Sequence, residues 1–332
     1  MHPVDNICEL VHVGFGLPRP SAITPLSGGL INATYCADGV WIVQCVNPIF
    51  GATVNDDIAA LTPVLRSHGV EVPLLCRAID GEWSLDGRRF DLDGRWRVMT
   101  RITGESHDHA ESIEEIRALT VALARFHAAL DGMHYEFRHK RPGVHDFMRH
   151  YHALERTVEG DEYRGHRLYA ETLSLWNSIK DIARFVDFDS VMVCEDLRII
   201  HGDPKISNFM QASGAVTGIV DLDTMAKSRV AFDVGDAVRS WCNPCAEDVE
   251  PAYNPEYARE MLGLYQEESP FLTRAERLSL PAAPAFISLE LSMRFLKDAL
   301  CEDYFGFDPK KGHGEHSLLR AQSMYTLCTQ MM

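Results

Sequence analysis

The stretch that decides the fold lies late in the chain and reads Arg198-Ile199-Ile200-His201-Gly202-Asp203-Pro204-Lys205-Ile206-Ser207-Asn208-Phe209. A second stretch follows it and reads Gly218-Ile219-Val220-Asp221-Leu222-Asp223. In each, a short apolar run that favours a strand delivers an Asp into a loop. The first stretch adds an Asn shortly after its acid, and the second ends in paired acids. The pattern therefore predicts two acidic loops and one amide at the ends of two short strands.

These side chains are typical of a site that transfers a phosphoryl group to a hydroxyl. One carboxylate accepts or orients the hydroxyl proton, while an amide oxygen and a second carboxylate hold magnesium on the phosphates. The alternative is that His-Gly-Asp forms an ordinary turn and that Asp221 caps a helix, since Gly and Asp are common turn residues. Asn208 at its offset from Asp203, and the acids behind an apolar strand, favour the kinase-type site.

The two stretches resemble the catalytic loop and metal-binding strand of the aminoglycoside phosphotransferase and choline kinase superfamily, distant relatives of the protein kinases. The resemblance implies an α+β, bilobal, protein-kinase-like fold with a small β-rich N-terminal lobe and a large helical C-terminal lobe. It also implies ATP and Mg²⁺ as cofactors. By the same resemblance Asp203 is the catalytic base and a substrate contact, Asn208 and Asp221 are magnesium ligands, and Asp223 is a further acid of the metal site.

Further stretches are similar to one branch of that superfamily, the N-acetylhexosamine 1-kinase-like proteins. They are residues 41–47, 221–225, 232–239, 292–300 and 304–305, and they follow the branch's order. This resemblance implies an ATP-dependent kinase that transfers the γ-phosphoryl to a sugar hydroxyl, most specifically the anomeric hydroxyl of an N-acetylhexosamine. Two alternatives stay open: a kinase for another acceptor (an amino sugar, an aminoglycoside, choline or homoserine), and a catalytically silent nucleotide-binding protein.

The first hundred residues carry the expected nucleotide contacts. Gly28 and Gly29 lie between two strand signals, where glycine lets the backbone approach a phosphate, although the pair alone is an ordinary hairpin turn. Their position before the strand of Gln44 matches the family's nucleotide loop, and we expect Asn32 to brace that loop. The family's hinge, which meets adenine through backbone groups, corresponds to Met99, Thr100, Arg101 and Ile102.

Three positions concern the binding of the nucleotide phosphates and of the acceptor: Gln44, Lys205 and Arg294. Most of the superfamily has a strand lysine where this chain has Gln44, and the hexosamine kinase branch also has Gln, so the cation that assists magnesium is left open. Lys205 is a candidate to approach the transferring phosphoryl and the substrate, with a surface role as the alternative. Arg294 is expected to grip sugar oxygens, with a structural salt bridge as its alternative. Asp233 resembles the family's acid that supports the catalytic loop.

Hydrophobic patterning divides the chain into a strand-rich first third and a helix-rich remainder. Strand-like runs and a single helix fill the first hundred residues, at 34–36, 40–46, 72–79 and 95–102 and at 55–67. Helical patterns follow at 113–130, 144–156, 167–185, 231–241, 255–267 and 283–300. We therefore predict a nucleotide-binding lobe over residues 1–103 and a helical catalytic and substrate lobe over residues 104–332.

Charge and cysteine usage narrow the class of partner. Lys+Arg 32 against Asp+Glu 48 gives a net charge of −16, which argues against nucleic-acid and membrane-surface binding because both select basic faces. The expected partner is a small-molecule sugar, and the oligomeric state is left open.

We predict a cytoplasmic protein from three features of the sequence. The nine cysteines lack a disulfide-framework spacing, the N-terminus lacks a basic region, and the chain has no long apolar run.

One further motif, Trp241-Cys242-Asn243-Pro244-Cys245, is similar to the redox motif of thioredoxin. In thioredoxin the motif opens a helix, whose N-terminus lowers the pKa of the first thiol. Here it closes the predicted helix at 231–241, and Pro244 stands as the stop signal. We therefore interpret these cysteines as structural.

Overall fold

The computed structural model describes residues 2–26 and 32–332. The N-terminal region is built on a five-stranded antiparallel sheet with the strand order β1-β2-β3-β5-β4. The strands are β1 (Ile23–Leu26), β2 (Ala33–Ala37), β3 (Trp41–Val46), β4 (Leu85–Asp86) and β5 (Arg95–Thr100). The β-branched and aromatic residues of β3 and β5 suit a pleated, buried surface. The register of these two strands places Gln44 opposite Arg97, which brings a strand cation next to the glutamine.

Two helices pack against this sheet region, although the sequence predicted one. The predicted helix is α2 (Val54–Ser67), whose buried face includes Ile58, Leu61 and Leu65. The second is α1 (Val4–Glu9), which continues into one π-helical turn and buries Ile7 in the sheet's own apolar cluster. A helix of six residues is too short to give a repeating apolar pattern. The expectation of a single helix is therefore wrong.

The strand predicted at residues 72–79 is also wrong, although the segment lies beside β5. Pro73 has no backbone N–H and cannot continue a hydrogen-bonded ladder. The segment makes separate bonds instead: the Thr100 N–H donates to the Leu74 carbonyl at 2.9 Å, and the Cys76 N–H donates to the Val98 carbonyl at 2.8 Å. These contacts leave Leu75 as an isolated bridge partner of β5.

The remainder of the chain is helical, with two small two-stranded sheets. Its longer helices, which span the regions predicted from the sequence and one more, are α3 (Ile113–Ala129), α4 (Phe147–Glu159), α5 (Tyr169–Ala183), α7 (Val230–Trp241), α8 (Pro255–Glu268), α10 (Ala283–Cys301) and α11 (His313–Met331). The short helices are α6 (Phe188–Met192) and α9 (Arg274–Ser279). Strand β6 (Arg198–Ile200) pairs with β9 (Ala226–Ser228), and β7 (Phe209–Ala212) pairs with β8 (Ala215–Ile219).

Helix α10 forms the centre of the helical core. It packs against α11, α7, α4 and α5, and Phe286, Leu289 and Leu296 are fully buried. A helix that is apolar on nearly every face is stable only when other elements surround it. Two acids of α10 are buried as well, Glu290 and Asp298, and each therefore has to find polar partners inside the protein.

The sheet-rich N-terminal region and the helical C-terminal region confirm the predicted α+β bilobal fold. The predicted lobe boundary near residue 103 falls between the end of β5 at Thr100 and the start of α3 at Ile113, and it stays a prediction. Among residues 2–26 and 32–332, none of the helices combines the length and the apolar character that crossing a bilayer requires.

Candidate active site

The catalytic loop begins where β6 ends. The buried isoleucines of β6 anchor the strand in the core, so residues 201–203 emerge at its carboxyl end. Gly202 has a φ of +82°, and a Cβ at this position would lie 2.3 Å from the Thr224 carbonyl oxygen. Only glycine fits both the left-handed backbone and this close approach. The His-Gly-Asp sequence thus reflects a steric requirement at its second residue.

Asp233, near the start of α7, accepts hydrogen bonds from the first two residues of the catalytic loop. Its Oδ2 accepts the His201 backbone N–H at 2.6 Å and lies 3.0 Å from His127 Nε2, while its Oδ1 accepts the Gly202 N–H at 2.8 Å. Asp233 is 1% exposed. Burial acts to raise the pKa of Asp233, but the hydrogen bonds and charge from His127, His201 and Gly202 outweigh it and hold the pKa below its usual range.

The C-terminal end of α7 forms hydrogen bonds with the later residues of the catalytic loop. The Ile206 N–H donates to Ser240 Oγ at 3.1 Å, and Trp241 Nε1 donates to the Pro204 carbonyl at 2.9 Å. One rigid helix therefore fixes both ends of the catalytic loop, which is the support that a precisely placed catalytic group needs.

Asp203 lies between Lys205 and Asn208. Lys205 Nζ is 3.0 Å from Asp203 Oδ2, and Asn208 Nδ2 donates to the Asp203 carbonyl oxygen at 2.7 Å. No described residue donates to Asp203 Oδ1 or to Asn208 Oδ1, so each offers a free oxygen. Burial acts to lower the pKa of Lys205, but the charges of Asp203 and Asp221 raise it overall, so this lysine stays positive.

Asp221 follows β8 and faces the catalytic loop. Its φ of +63° is left-handed, an unfavourable conformation for a residue with a side chain. The adjoining backbone is tied to the loop, because the Val220 N–H donates to the Asn208 carbonyl at 2.9 Å and His201 Nε2 lies 3.0 Å from the Val220 carbonyl. Burial first, and then the Asp223 charge, raise the pKa of Asp221. No described residue donates to its carboxylate.

Asp223, which the sequence suggested for the metal site, has hydrogen-bonding partners of its own. Its Oδ2 accepts from Arg97 Nη2 at 2.7 Å and from Asn32 Nδ2 at 2.9 Å, and its Oδ1 accepts from Arg97 Nη1. Arg97 also bonds Gln44 and Asn55. We call Asn32, Gln44, Asn55, Arg97 and Asp223 the Arg97 network. Both Asp223 oxygens are occupied, so the geometry gives the expectation of a metal ligand at Asp223 no support.

The sequence interpretation missed Arg97 and Asn55. Arg97 stands in a strand predicted from its Trp and Val neighbours, where an arginine is easily taken for an edge or surface residue. The signal that could have found it is the pairing of β3 with β5, which places Arg97 beside Gln44. That register depends on the fold and is not visible in either strand alone.

On the nucleotide side, Gly28 and Gly29 lie outside the described residues. Asn32, which follows them, is buried and bridges the two lobes, because its Oδ1 accepts the Asn47 N–H at 2.8 Å while its Nδ2 contacts Asp223. Of the four expected hinge residues, Met99 is paired within the sheet. Thr100 and Arg101 use their N–H groups on the Leu74 and Val40 carbonyls, and Ile102 follows directly.

On the acceptor side, Arg294 belongs to a partly buried polar cluster on α10. Its Nη1 lies 3.7 Å from Glu290 Oε1, which also lies 3.2 Å from His145 Nδ1. Glu290 is 1% exposed, and its Oε2 is buried and bonds no described residue. Asp236 on α7 is buried and accepts from Arg239 Nε at 2.8 Å; burial raises the pKa of Asp236, Arg239 opposes the rise, and the Asp203 charge adds to it. The sequence had assigned no role to Glu290.

The structure also supports a structural role for the thioredoxin-like cysteines. Cys242 is fully buried at the end of α7, and burial raises the pKa of its thiol to about 12, which is the opposite of an activated nucleophile. All nine cysteines are free. Within the described part of the chain, no group of three or more His, Cys, Asp or Glu side chains is arranged to hold a metal ion.

Comparison with known proteins gives one family. The model of the phosphotransferase enzyme family (APH) matches residues 22–269. The structure is similar to the GDP complex of aminoglycoside 2′-phosphotransferase-IIIa (14% identity, 97% of this chain and 97% of that chain, TM-score 0.61). It is also similar to a choline kinase from Cryptosporidium parvum Iowa II (10% identity, 99% of this chain and 95% of that chain, TM-score 0.61). A third similar structure is amicoumacin kinase in complex with AMP-PNP, Ca²⁺ and Ami (13% identity, 99% of this chain and 94% of that chain, TM-score 0.63).

Proposed function

Because the chain belongs to the phosphotransferase enzyme family, we propose that it transfers the γ-phosphoryl of ATP to a sugar hydroxyl, the anomeric hydroxyl of an N-acetylhexosamine. The observation that carries the proposal is the Asp203 carboxylate, which keeps Oδ1 free while Lys205 and the α7 contacts fix the rest of its loop. A fixed carboxylate with one open oxygen is what an acceptor hydroxyl requires.

In the proposed reaction Asp203 Oδ1 accepts a hydrogen bond from the acceptor hydroxyl. This bond orients the hydroxyl oxygen toward the γ-phosphorus of ATP. Lys205, held 3.0 Å from Asp203 Oδ2, pairs with that carboxylate and places a positive charge beside the transferring group. Charge positioned in advance stabilises a transition state whose charge spreads over the phosphoryl oxygens. The chain thus contributes positioning and electrostatics.

Magnesium fits the oxygens that the site leaves free. Asn208 Oδ1 and the Asp221 carboxylate are hard oxygen donors without described partners, and two protein ligands suffice because Mg²⁺ takes its others from phosphates and water. When bound, magnesium would offset the negative charge of the nucleotide phosphates. We assign Asn208 and Asp221 to this site and leave Asp223 in the Arg97 network, where both its oxygens are used.

The nucleotide is proposed to bind between the sheet region and the catalytic loop. Gly28 and Gly29 would cover its phosphates, and Asn32 would brace their loop through its bond to Asp223. The N–H groups of Thr100 and Arg101 are already bonded inside the protein. We therefore assign the adenine contact to backbone groups nearer Ile102.

The sugar acceptor is supported by the polar cluster of α10 and by the resemblance of residues 232–239 and 292–300 to hexosamine kinases. Arg294 supplies donors, whereas the buried Glu290 Oε2 is an unused acceptor. A sugar hydroxyl both donates and accepts, so a site that offers both kinds of group suits a neutral polyol. An exclusively acidic pocket would favour a cationic acceptor instead.

We predict that Arg294→Met raises the KM for the sugar about tenfold, the worth of one hydrogen bond to a charged group. The reason is that the guanidinium binds the sugar in ground and transition states alike, so kcat and the KM for ATP change little. Lys297→Met, on the same helix and partly exposed, is the matched control and leaves all three constants near wild type. An unchanged sugar KM in Arg294→Met would assign Arg294 the structural salt bridge with Glu290.

The function itself is tested by ADP release with Mg²⁺ against free hexosamines, N-acetylhexosamines, choline, homoserine and aminoglycosides. Turnover restricted to N-acetylhexosamines, with an acid-labile phosphate in the product, supports a sugar 1-phosphate and the proposal. Turnover on choline, homoserine or an aminoglycoside alone would replace the sugar with that acceptor. Nucleotide binding without turnover on any member of the panel would favour the silent binding protein.

A further inference from the structure

Arg97 is a buried arginine whose hydrogen-bonding capacity is fully used. A guanidinium has five N–H donors. Nε and Nη2 donate to Gln44 Oε1 at 2.9 and 2.7 Å, Nη1 donates to Asn55 Oδ1 at 3.0 Å, and Nη1 and Nη2 donate to the two Asp223 oxygens. The residue is 2% exposed. Arg97 therefore retains no donor for a ligand.

The partners of Arg97 come from both lobes. Gln44 lies on β3 and Asn55 at the start of α2, whereas Asp223 lies in the turn that follows β8. Asn32 adds a second N-terminal-lobe donor to Asp223 at 2.9 Å. One carboxylate of the helical lobe is thus held by two side chains of the sheet lobe, and the buried charge is compensated within the network.

Gln44 takes part in this network as an acceptor. Its Oε1 receives two bonds from Arg97, and its Nε2 donates to Thr34 Oγ1 at 3.0 Å. The strand position where related kinases carry a phosphate-binding lysine therefore serves here to orient an arginine. Among the described side chains, neither Gln44 nor Arg97 presents a free positive charge to a nucleotide.

Asp223 sits two residues after Asp221, whose left-handed backbone is unfavourable without outside support. Leu222–Thr224 form a single 3₁₀ turn, and Asp221 directly precedes it. The contacts that fix the Asp223 side chain therefore also fix the position of the Asp221 backbone. A shift of about 1 Å at such a group costs on the order of 100-fold in rate.

We propose that Arg97 is a positioning residue: it locks the turn carrying Asp221 against the sheet lobe and does not contact the nucleotide phosphates. The inference rests on the proposed magnesium site at Asn208 and Asp221. In this arrangement magnesium and Lys205, both on the side of the helical lobe, offset the charge of the nucleotide phosphates. Lys205 is then the cation that assists magnesium in a chain that has Gln44 in place of the strand lysine.

The test compares Arg97→Lys and Asp223→Asn with wild type, using Arg95→Lys as the control on the same strand. Among the described residues, the Arg95 side chain hydrogen-bonds only Ser84. We expect both network variants to lose about 30-fold in kcat, within the range that misplacement allows, and to need more Mg²⁺ for half-maximal binding of a fluorescent ATP analogue. Their affinity for the analogue without Mg²⁺ stays near wild type.

A swap keeps the test informative if a single variant unfolds. In Gln44→Lys/Arg97→Met the cation moves to the facing position of β3, and we expect at least a tenfold recovery of kcat over Arg97→Met with no gain in Mg²⁺-free nucleotide affinity; a recovery accompanied by such a gain would point to a phosphate contact and count against the inference. Full activity in folded Arg97→Lys and Asp223→Asn, or a loss of Mg²⁺-free nucleotide affinity in Arg97→Lys, would overturn the inference. Because the Mg²⁺ dependence of nucleotide binding needs no acceptor, it tests Arg97 even where the proposed sugar gives no turnover.

Discussion

Asp203→Asn is expected to reduce kcat by about 10³-fold, within the range that general acid–base catalysis contributes, while the KM for ATP stays within about twofold. The amide keeps the shape of the side chain and its place beside Lys205, but it is a far weaker base and its oxygen carries no full charge. The acceptor hydroxyl then loses the group that orients its proton. The measurement is ADP release at saturating sugar and ATP.

The control for this variant is Asp161→Asn, since the Asp161 side chain is 89% exposed and pairs only with Arg164 among the described residues. It is expected to match wild type. A fully active Asp203→Asn protein would remove Asp203 from the chemistry. In that case the next candidate is Asp236, the buried acid that lies near Asp203.

Asp233→Ala is expected to lower the free energy of unfolding by about 3–5 kcal/mol, the usual result of removing one partner from a buried charged network. The reason is that the His201 and Gly202 N–H groups and His127 would lose their common acceptor, and His201 and His127 are themselves buried. Urea unfolding followed by circular dichroism measures the loss. Activity should fall too, because the same bonds fix the loop of Asp203.

The control is Asp181→Ala on α5, an exposed acid with a long contact to Arg184; its change should stay within about 0.5 kcal/mol. Asp233→Asn keeps only one oxygen acceptor and should fall between the two. A stability of Asp233→Ala equal to that of the control would contradict the supporting role assigned to Asp233.

The same carboxylate predicts a dependence of stability on pH. The pKa of Asp233 is lower in the folded protein than in the unfolded chain, where it is about 4. Its contribution is therefore fully present above the unfolded pKa and is lost as the pH falls through the folded value. The stability gap between wild type and Asp233→Ala should hold from pH 7 to 5 and narrow below about pH 4. A gap independent of pH would contradict this assignment.

The sequence supplied most of the helical lobe and the loop that carries the chemistry. Helices such as α3 repeat an apolar stripe and start at a capping residue, Ser112, whose side chain accepts the Glu115 N–H. Gly202 marks a backbone position that excludes every side chain. Signals of this kind are local, so they can be interpreted without knowing what packs against them.

The segments whose secondary structure was predicted wrongly were short or depended on how they pair with a neighbouring strand. Helix α1 spans six residues, fewer than the apolar pattern needs, and residues 72–79 lie along β5 without a ladder because Pro73 lacks an N–H. Asp223 shows how much such a residue depends on its surroundings. Beside Asp221 in sequence it suggests a further metal ligand, which stays a prediction, and in the fold its two oxygens accept bonds from Arg97 of the other lobe.

By itself, the sequence determined the fold class and the order of Asp203, Asn208 and Asp221, because backbone sterics and local spacing constrain these positions directly. Only the tertiary structure decided which acid stays free and which is neutralised. That choice depends on Gln44 facing Arg97 across two strands, and on Arg97 meeting Asp223 across two lobes. Buried charges must find partners wherever the fold brings them, and the residues that provide them lie far apart in the chain.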